Sequence, residues 1–145
     1  MKKFENLDCI LLIDDEESNN FLHRTMIEKA GIDCAVHTTY NGIEAIEFLT
    51  CTGRYESNED YPQPGVIFLD INMPLMNGWE FLEEYEKLPE EQKGRIVMAM
   101  LTSSLNQDDI DRSELNSDLK GFISKPLSVA KLNDVIETNF VRIYE

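Results

Sequence analysis

The sequence alternates two kinds of segment, and that alternation limits the possible fold more than any other feature. Short apolar, β-rich runs fall at Cys9–Ile13, Cys34–Thr38, Val66–Leu69, Ile96–Leu101 and Gly121–Ser124. Between them the apolar residues recur at helical spacing. The first such stretch carries Phe21, Leu22, Met26 and Ile27 and closes at Gly31, the residue type a left-handed helix cap favours. The second, Asn41 to Cys51, places Ile43, Ile46, Phe48 and Leu49 on an apolar face, and the third has Trp79, Leu82 and Tyr85 before Pro89. The fourth, Gln107 to Leu119, is weakly amphipathic and very acidic. The last starts at Ser128, a good N-cap, and carries Val129, Leu132, Val135, Ile136 and Phe140. The pattern is a (βα)5 chain. Strand runs without polar alternation indicate a parallel sheet covered on both faces. Right-handed crossovers then give an α/β, doubly wound, three-layer sandwich. Ligands of such sheets bind beyond the carboxyl ends of the strands, so the residues just after each strand are the candidates for function.

Composition excludes several classes. A length of 145 residues suits one domain with a full core. The longest apolar run, Ile96 to Leu101, is six residues, whereas a membrane-spanning helix needs about 20. Met1 to Asp8 is polar and charged and does not read as a secretory signal. Thirteen Lys and Arg against 28 Asp and Glu give a net charge of −15, which disfavours nucleic acid and membrane surfaces as partners. The cysteines Cys9, Cys34 and Cys51 are odd in number and lack C-x-x-C spacing, so neither a disulfide framework nor a zinc site is expected. A cytoplasmic setting fits free thiols and the missing export signal.

Four strand ends carry chemistry. Asp14, Asp15, Glu16 and Glu17 follow the first strand, Asp70 ends the third, Thr102 and Ser103 end the fourth, and Lys125–Pro126 ends the fifth. Topology brings Asp14, Asp15 and Asp70 to one edge. Two carboxylates about 4 Å apart repel by roughly 4 kcal/mol at an effective dielectric near 20, so uncompensated they would not all stay ionised. A hard divalent cation such as Mg²⁺ is the usual remedy. With Lys125 it would bring three carboxylates to neutrality, leaving a site ready for an oxyanion. Taken singly, an Asp-Asp pair is most often a helix cap, and a Lys-Pro or a strand-end Thr means little. Their joint occurrence in this order is what carries weight.

The segment Ile67–Gly78, IFLDINMPLMNG, resembles the signature of the receiver domain of two-component response regulators. In that family the aspartate ending strand three is followed by x-x-M-P-x-M-[D/N]-G, matched here by Asp70, Met73, Pro74, Met76, Asn77 and Gly78. The paired acids in LLIDDEESN, the hydroxyl in MAMLTSS and the lysine in GFISKPLS match in order and context. The likeness runs from about Leu7 to Ile143. It implies a flavodoxin-like sheet of order 2-1-3-4-5 and a stand-alone, chemotaxis-type receiver occupying 1–145 (core about 7–143) with no output domain.

The resemblance also implies roles. Asp70 would be the phosphoacceptor, taking phosphorus from a phosphohistidine on a sensor histidine kinase or phosphotransfer protein. Asp15 and Asp70 would ligate Mg²⁺ directly, the Asn72 backbone carbonyl would be a third ligand, and Asp14 would act through a water. Lys125 would contact a phosphoryl oxygen, with Lys125–Pro126 a cis peptide. Thr102 would hydrogen-bond the phosphoryl group after moving toward it, and Phe122 occupies the aromatic switch position. Asn72 and Ser104 stand where the family tunes phosphoryl lifetime. Such a protein catalyses only its own phosphorylation and dephosphorylation. It would signal to an output protein or relay the phosphoryl group.

Two competing classes are weaker. A Mg²⁺-dependent aspartyl-phosphate phosphohydrolase typically places an acid/base aspartate two residues after its nucleophile, and Asn72 cannot shuttle a proton. A flavodoxin-type flavin binder would need a Ser/Thr/Gly-rich loop where this chain has four acids. Among other features, His23 is expected on the polar side of its helix, exposed, and His37 packed in a strand. Trp79 reads as a core or helix-face residue. The long connection Thr50 to Gly65 reads as a solvated loop. The acidic run Asp108, Asp109, Asp111, Glu114 and Asp118 lies next to the surface that reports phosphorylation in the family.

Overall fold

The computed structural model describes residues 1–56, 63–93 and 96–144. Its five core strands are β2 (Cys9–Ile13), β3 (Ala35–Thr39), β4 (Val66–Asp70), β5 (Val97–Thr102) and β6 (Leu119–Ser124). They pair in parallel in the order β3-β2-β4-β5-β6, which is 2-1-3-4-5 when only these five are counted. The expected doubly wound architecture is therefore present.

Alternation along each strand splits the core in two, because successive side chains point to opposite faces. Ile10, Leu12, Phe68, Ala99 and Leu101 share one cluster with Ile27, Leu132 and Ile136. These last three come from α1 (Glu17–Ala30) and α6 (Val129–Asn139). Leu11, Ile13, Ile67, Leu69, Met98 and Met100 share the other with Ala45, Phe48, Phe81 and Leu82, from α2 (Gly42–Thr50) and α3 (Gly78–Glu86). A short α4 (Glu90–Lys93) precedes β5, and α5 (Gln107–Glu114) precedes β6.

Local signals act where the sequence places them. Gly31 caps α1 with φ 70°, Asn41 accepts from the Glu44 amide at the start of α2, and Ser128 accepts from the Lys131 amide at the start of α6. Asn77 and Glu80 form a reciprocal capping box at the start of α3.

Several expectations are corrected. Phe21 and Leu22 do not face the core: they are 71% and 38% exposed. The buried face of α1 is Asn20, His23, Ile27 and Ala30, so His23 is buried rather than on the polar surface. The helix rotates this way because Asn20 has a polar partner beneath it, the Asp14 carbonyl. Periodicity of apolar residues cannot reveal such a partner. Ile43 is likewise exposed. The fourth helix ends at Glu114, because Leu119 is already paired with Met98 in the sheet. Two strands were not foreseen, β1 (Lys3–Phe4) and β7 (Arg142–Ile143), which pair antiparallel and bring Phe4 into the first core cluster. Two-residue strands have no detectable period.

The Thr50–Gly65 connection is not wholly solvated. Gly53–Tyr55 forms a 3₁₀ turn that buries Tyr55. The Tyr55 hydroxyl donates to Glu44 Oε1 at 3.0 Å and lies 3.1 Å from His37 Nε2. His37 stacks on Phe48. Positions 57–62 of that connection lie outside the described residues.

Candidate functional site: an acidic cluster at the carboxyl edge of the sheet

β2 and β4 are adjacent and end together, with Ile13 opposite Leu69. That register delivers Asp14, Asp15 and Asp70 to one spot, with one carboxylate oxygen from each within 4.8 Å of the others. Asp14 and Asp70 are buried and Asp15 is exposed. β6 lies two strands further along, beyond β5, and Lys125 follows it. Its ammonium lies 2.7 Å from Asp14 Oδ2 and 3.1 Å from Asp70 Oδ1. The Lys125–Pro126 peptide is cis.

Gly78 lets the following loop fold back onto this edge. A Cβ there would lie 2.7 Å from the Asp70 carbonyl oxygen, and the Gly78 amide bonds the Ile71 carbonyl at 2.7 Å. The M-P-x-M-N-G segment is thus a closure device for the strand end.

The cluster is electrostatically unbalanced. Burial, and then the neighbouring Asp14 carboxylate, push the Asp70 carboxyl up to about 6, with Lys125 pulling the other way. Burial also works against the Lys125 ammonium, but its hydrogen bond to Asp14 and the two carboxylates outweigh that and raise it. Lys125 is therefore firmly cationic, and three carboxylates face one ammonium. The donors are all oxygen, two of the three acids are held by the fold, and the third is open to solvent. This set fits a hard divalent cation, which favours carboxylate and water oxygens.

A cleft of about 420 Å³ opens over the cluster. Asp15, Asp70, Asn72 and Lys125 line it, and so do Glu16 and Asn19. Thr102 is buried at the end of β5. Its hydroxyl donates to the Ser104 carbonyl at 2.9 Å and accepts from the Ser104 amide at 3.1 Å. Phe122 is half-buried on β6 and lines a separate groove with Leu105 and Ile110.

The response regulator receiver domain family matches residues 10–137. The chain belongs to this family.

Receiver domains of this family accept phosphorylation and work in two-component signalling with histidine kinases and output partners. This receiver is similar to the response regulator Rcp1 of Synechocystis sp., 34% identical over 101 residues. That match covers 70% of this chain and 65% of Rcp1, less than two thirds of the relative's length. Among solved structures, a two-component response regulator from Cytophaga hutchinsonii is 29% identical with a TM-score of 0.78. It covers 91% of this receiver and 96% of its own chain. The Mn²⁺-bound form of a response regulator Rcp1 is 31% identical, with a TM-score of 0.69 and 88% of both chains covered. Among the described residues of this receiver, no helix is long and apolar enough to cross a membrane.

Sequence reasoning missed Asn19 and Asn20. Asn19 lines the cleft, with Nδ2 3.3 Å from Glu16 Oε2 and 3.5 Å from Asp14 Oδ1. Asn20 lies beneath Asp14. The available signal was composition: asparagine is a poor interior helix residue unless its side chain bonds nearby backbone, and here two stand side by side.

Proposed function

We propose that Asp70 is the phosphoacceptor of a Mg²⁺-dependent transfer in the cytoplasm. The reading rests on one observation above all: the half-buried Lys125 ammonium bridges Asp70 to Asp14 while a third carboxylate stands within 4.8 Å. An Asp70 carboxylate oxygen attacks the phosphorus of a phosphohistidine on a sensor histidine kinase or phosphotransfer protein. The P–O bond forms, the P–N bond breaks, and its electron pair stays on the departing imidazole. Asp15, Asp70 and the Asn72 carbonyl would hold Mg²⁺, with Asp14 acting through a water, and the cation would supply charge neutralisation for the transferring oxygens. Lys125 is positioned to release part of its hold on Asp70 and take a phosphoryl oxygen. Positioning and charge account for the catalysis, as in other phosphoryl transfers.

The product carries about two negative charges and additional acceptor oxygens. Thr102 then exchanges the Ser104 carbonyl for a phosphoryl oxygen, and the loop after β5 moves with it, with Phe122 following on the neighbouring strand. The output is an altered contact with another protein or onward relay of the phosphoryl group. Incubation with Mg²⁺ and acetyl phosphate should add one phosphate, detected by intact mass, and Asp70→Asn should abolish it. Equal labelling of the Asn variant would remove Asp70 from this role.

A further inference from the structure

The inner face of α1 changes character along its length. Toward its C-terminus it buries Ile27 and Ala30, as a core helix should. Toward the acidic cluster it buries Asn20 and His23 instead, each only 2% exposed. Asn20 Nδ2 donates to the Asp14 backbone carbonyl at 3.0 Å. Asn20 Oδ1 is buried with no partner among the described residues.

Strand pairing between β2 and both neighbours ends at Ile13. The Asp14 amide still bonds the Thr39 carbonyl at 3.2 Å, but the Asp14 carbonyl has left the ladder. Without Asn20 it would be a buried acceptor beyond the end of the sheet. With it, the Asp14–Asp15 peptide is held through its carbonyl oxygen, while the preceding Ile13–Asp14 peptide is held by the bond to Thr39. That peptide sets where Asp15, the exposed member of the cluster, projects its carboxylate.

We infer that Asn20 is a positioning residue for the cation site: it fixes the Asp14–Asp15 peptide so that Asp15 meets Asp14 and Asp70. This rests on the reading of the three acids as a cation site. Folding alone gives a weaker reason for an amide here, because Asn20 satisfies the Asp14 carbonyl but leaves its own buried Oδ1 orphaned, and the two effects largely offset. Groups that orient ligands without touching the metal typically change affinity by roughly 10–100-fold when removed.

The test compares the parent protein with Asn20→Leu and Asn20→Ala. Mg²⁺ affinity is measured by calorimetric titration, and thermal unfolding is measured in chelator without cation. The ¹H–¹⁵N amide shifts of Asp15 and Glu16 give a third readout. The expected result is a Kd raised about tenfold or more in both variants. The cation-free melting temperature of Asn20→Leu stays close to the parent's, the orphaned Asp14 carbonyl being offset by loss of the orphaned Oδ1 and gain of apolar burial, and shifts at Asp15 and Glu16 move while those of Phe68 and Met98 in the sheet do not. A purely structural role would lower the melting temperature and leave the Kd of the folded protein unchanged. Folded variants with Kd values within twofold of the parent overturn this inference alone. A parent that binds no Mg²⁺ overturns the reading of the site, and this inference with it. Should Asn20→Leu not fold, Asn20→Ala decides by the same Kd criterion.

Discussion

Thr102 and Ser104 are tied together twice, hydroxyl to carbonyl at 2.9 Å and amide to hydroxyl at 3.1 Å. The hydroxyl proposed as the switch is thus committed to its own loop, and any group that recruits it must break that pairing. Thr102→Ala should retain Mg²⁺ binding within about twofold and still label at Asp70, since the acids and Lys125 are untouched. Beryllofluoride should then cause much smaller amide shifts in residues 103–106 than in the parent, while Thr102→Ser keeps them. The alanine variant should also lose about 1 kcal/mol of stability with the hydroxyl's bonds. Parent-like shifts in Thr102→Ala would sink the switch role.

Asp70 gives a pH-dependent prediction. Its carboxyl is raised from 3.8 to about 6 by burial and by Asp14. The folded state therefore binds this proton more tightly than the unfolded chain. The destabilisation is absent below 3.8, grows through the window to about 6, and is complete above it. In chelator at pH 8, Asp70→Asn should be more stable than the parent by about 1–3 kcal/mol. Lys125 retains its 2.7 Å bond to Asp14 in that variant. The advantage should shrink below pH 6 and also on adding Mg²⁺. An advantage independent of pH would mean the charge is not its origin.

Trp79 on α3 donates its indole N–H to Asp109 Oδ1 of α5 at 3.1 Å, and the Arg112 guanidinium lies 4.5 Å from the ring centroid. The acidic run on α5 is therefore partly structural, not only a solvated face. Asp109→Ala should cost about 1 kcal/mol, because this charge-assisted bond is partly solvated. Trp79 is the only tryptophan, so the change in its environment should appear as a shifted emission maximum. Unaltered emission and stability would show that the contact does not persist in solution.

Tyr55 anchors the start of the long connection by its bond to buried Glu44. Tyr55→Phe keeps the ring against His37 and Phe48 but removes the hydroxyl, at an expected cost of about 1–2 kcal/mol. Chemical denaturation measures it. Mg²⁺ affinity should not change, since the anchor belongs to the β3–α2 side of the sheet rather than to the acidic cluster.

Local signals in the chain were enough to set the layer order, the five core strands and the acids at their ends. These follow from short-range properties: apolar runs, caps such as Gly31 and Ser128, and the rule that strand ends carry the site. Tertiary structure alone decided the rotation of α1, which exposes Phe21 and buries Asn20 and His23, because the deciding partner, the Asp14 carbonyl, belongs to another element. It decided the pairing of Lys3–Phe4 with Arg142–Ile143, where the strands are far apart in sequence and too short to show a period. It also decided that Lys125 spans Asp14 and Asp70, a distance set by the register of four strands rather than by any one of them.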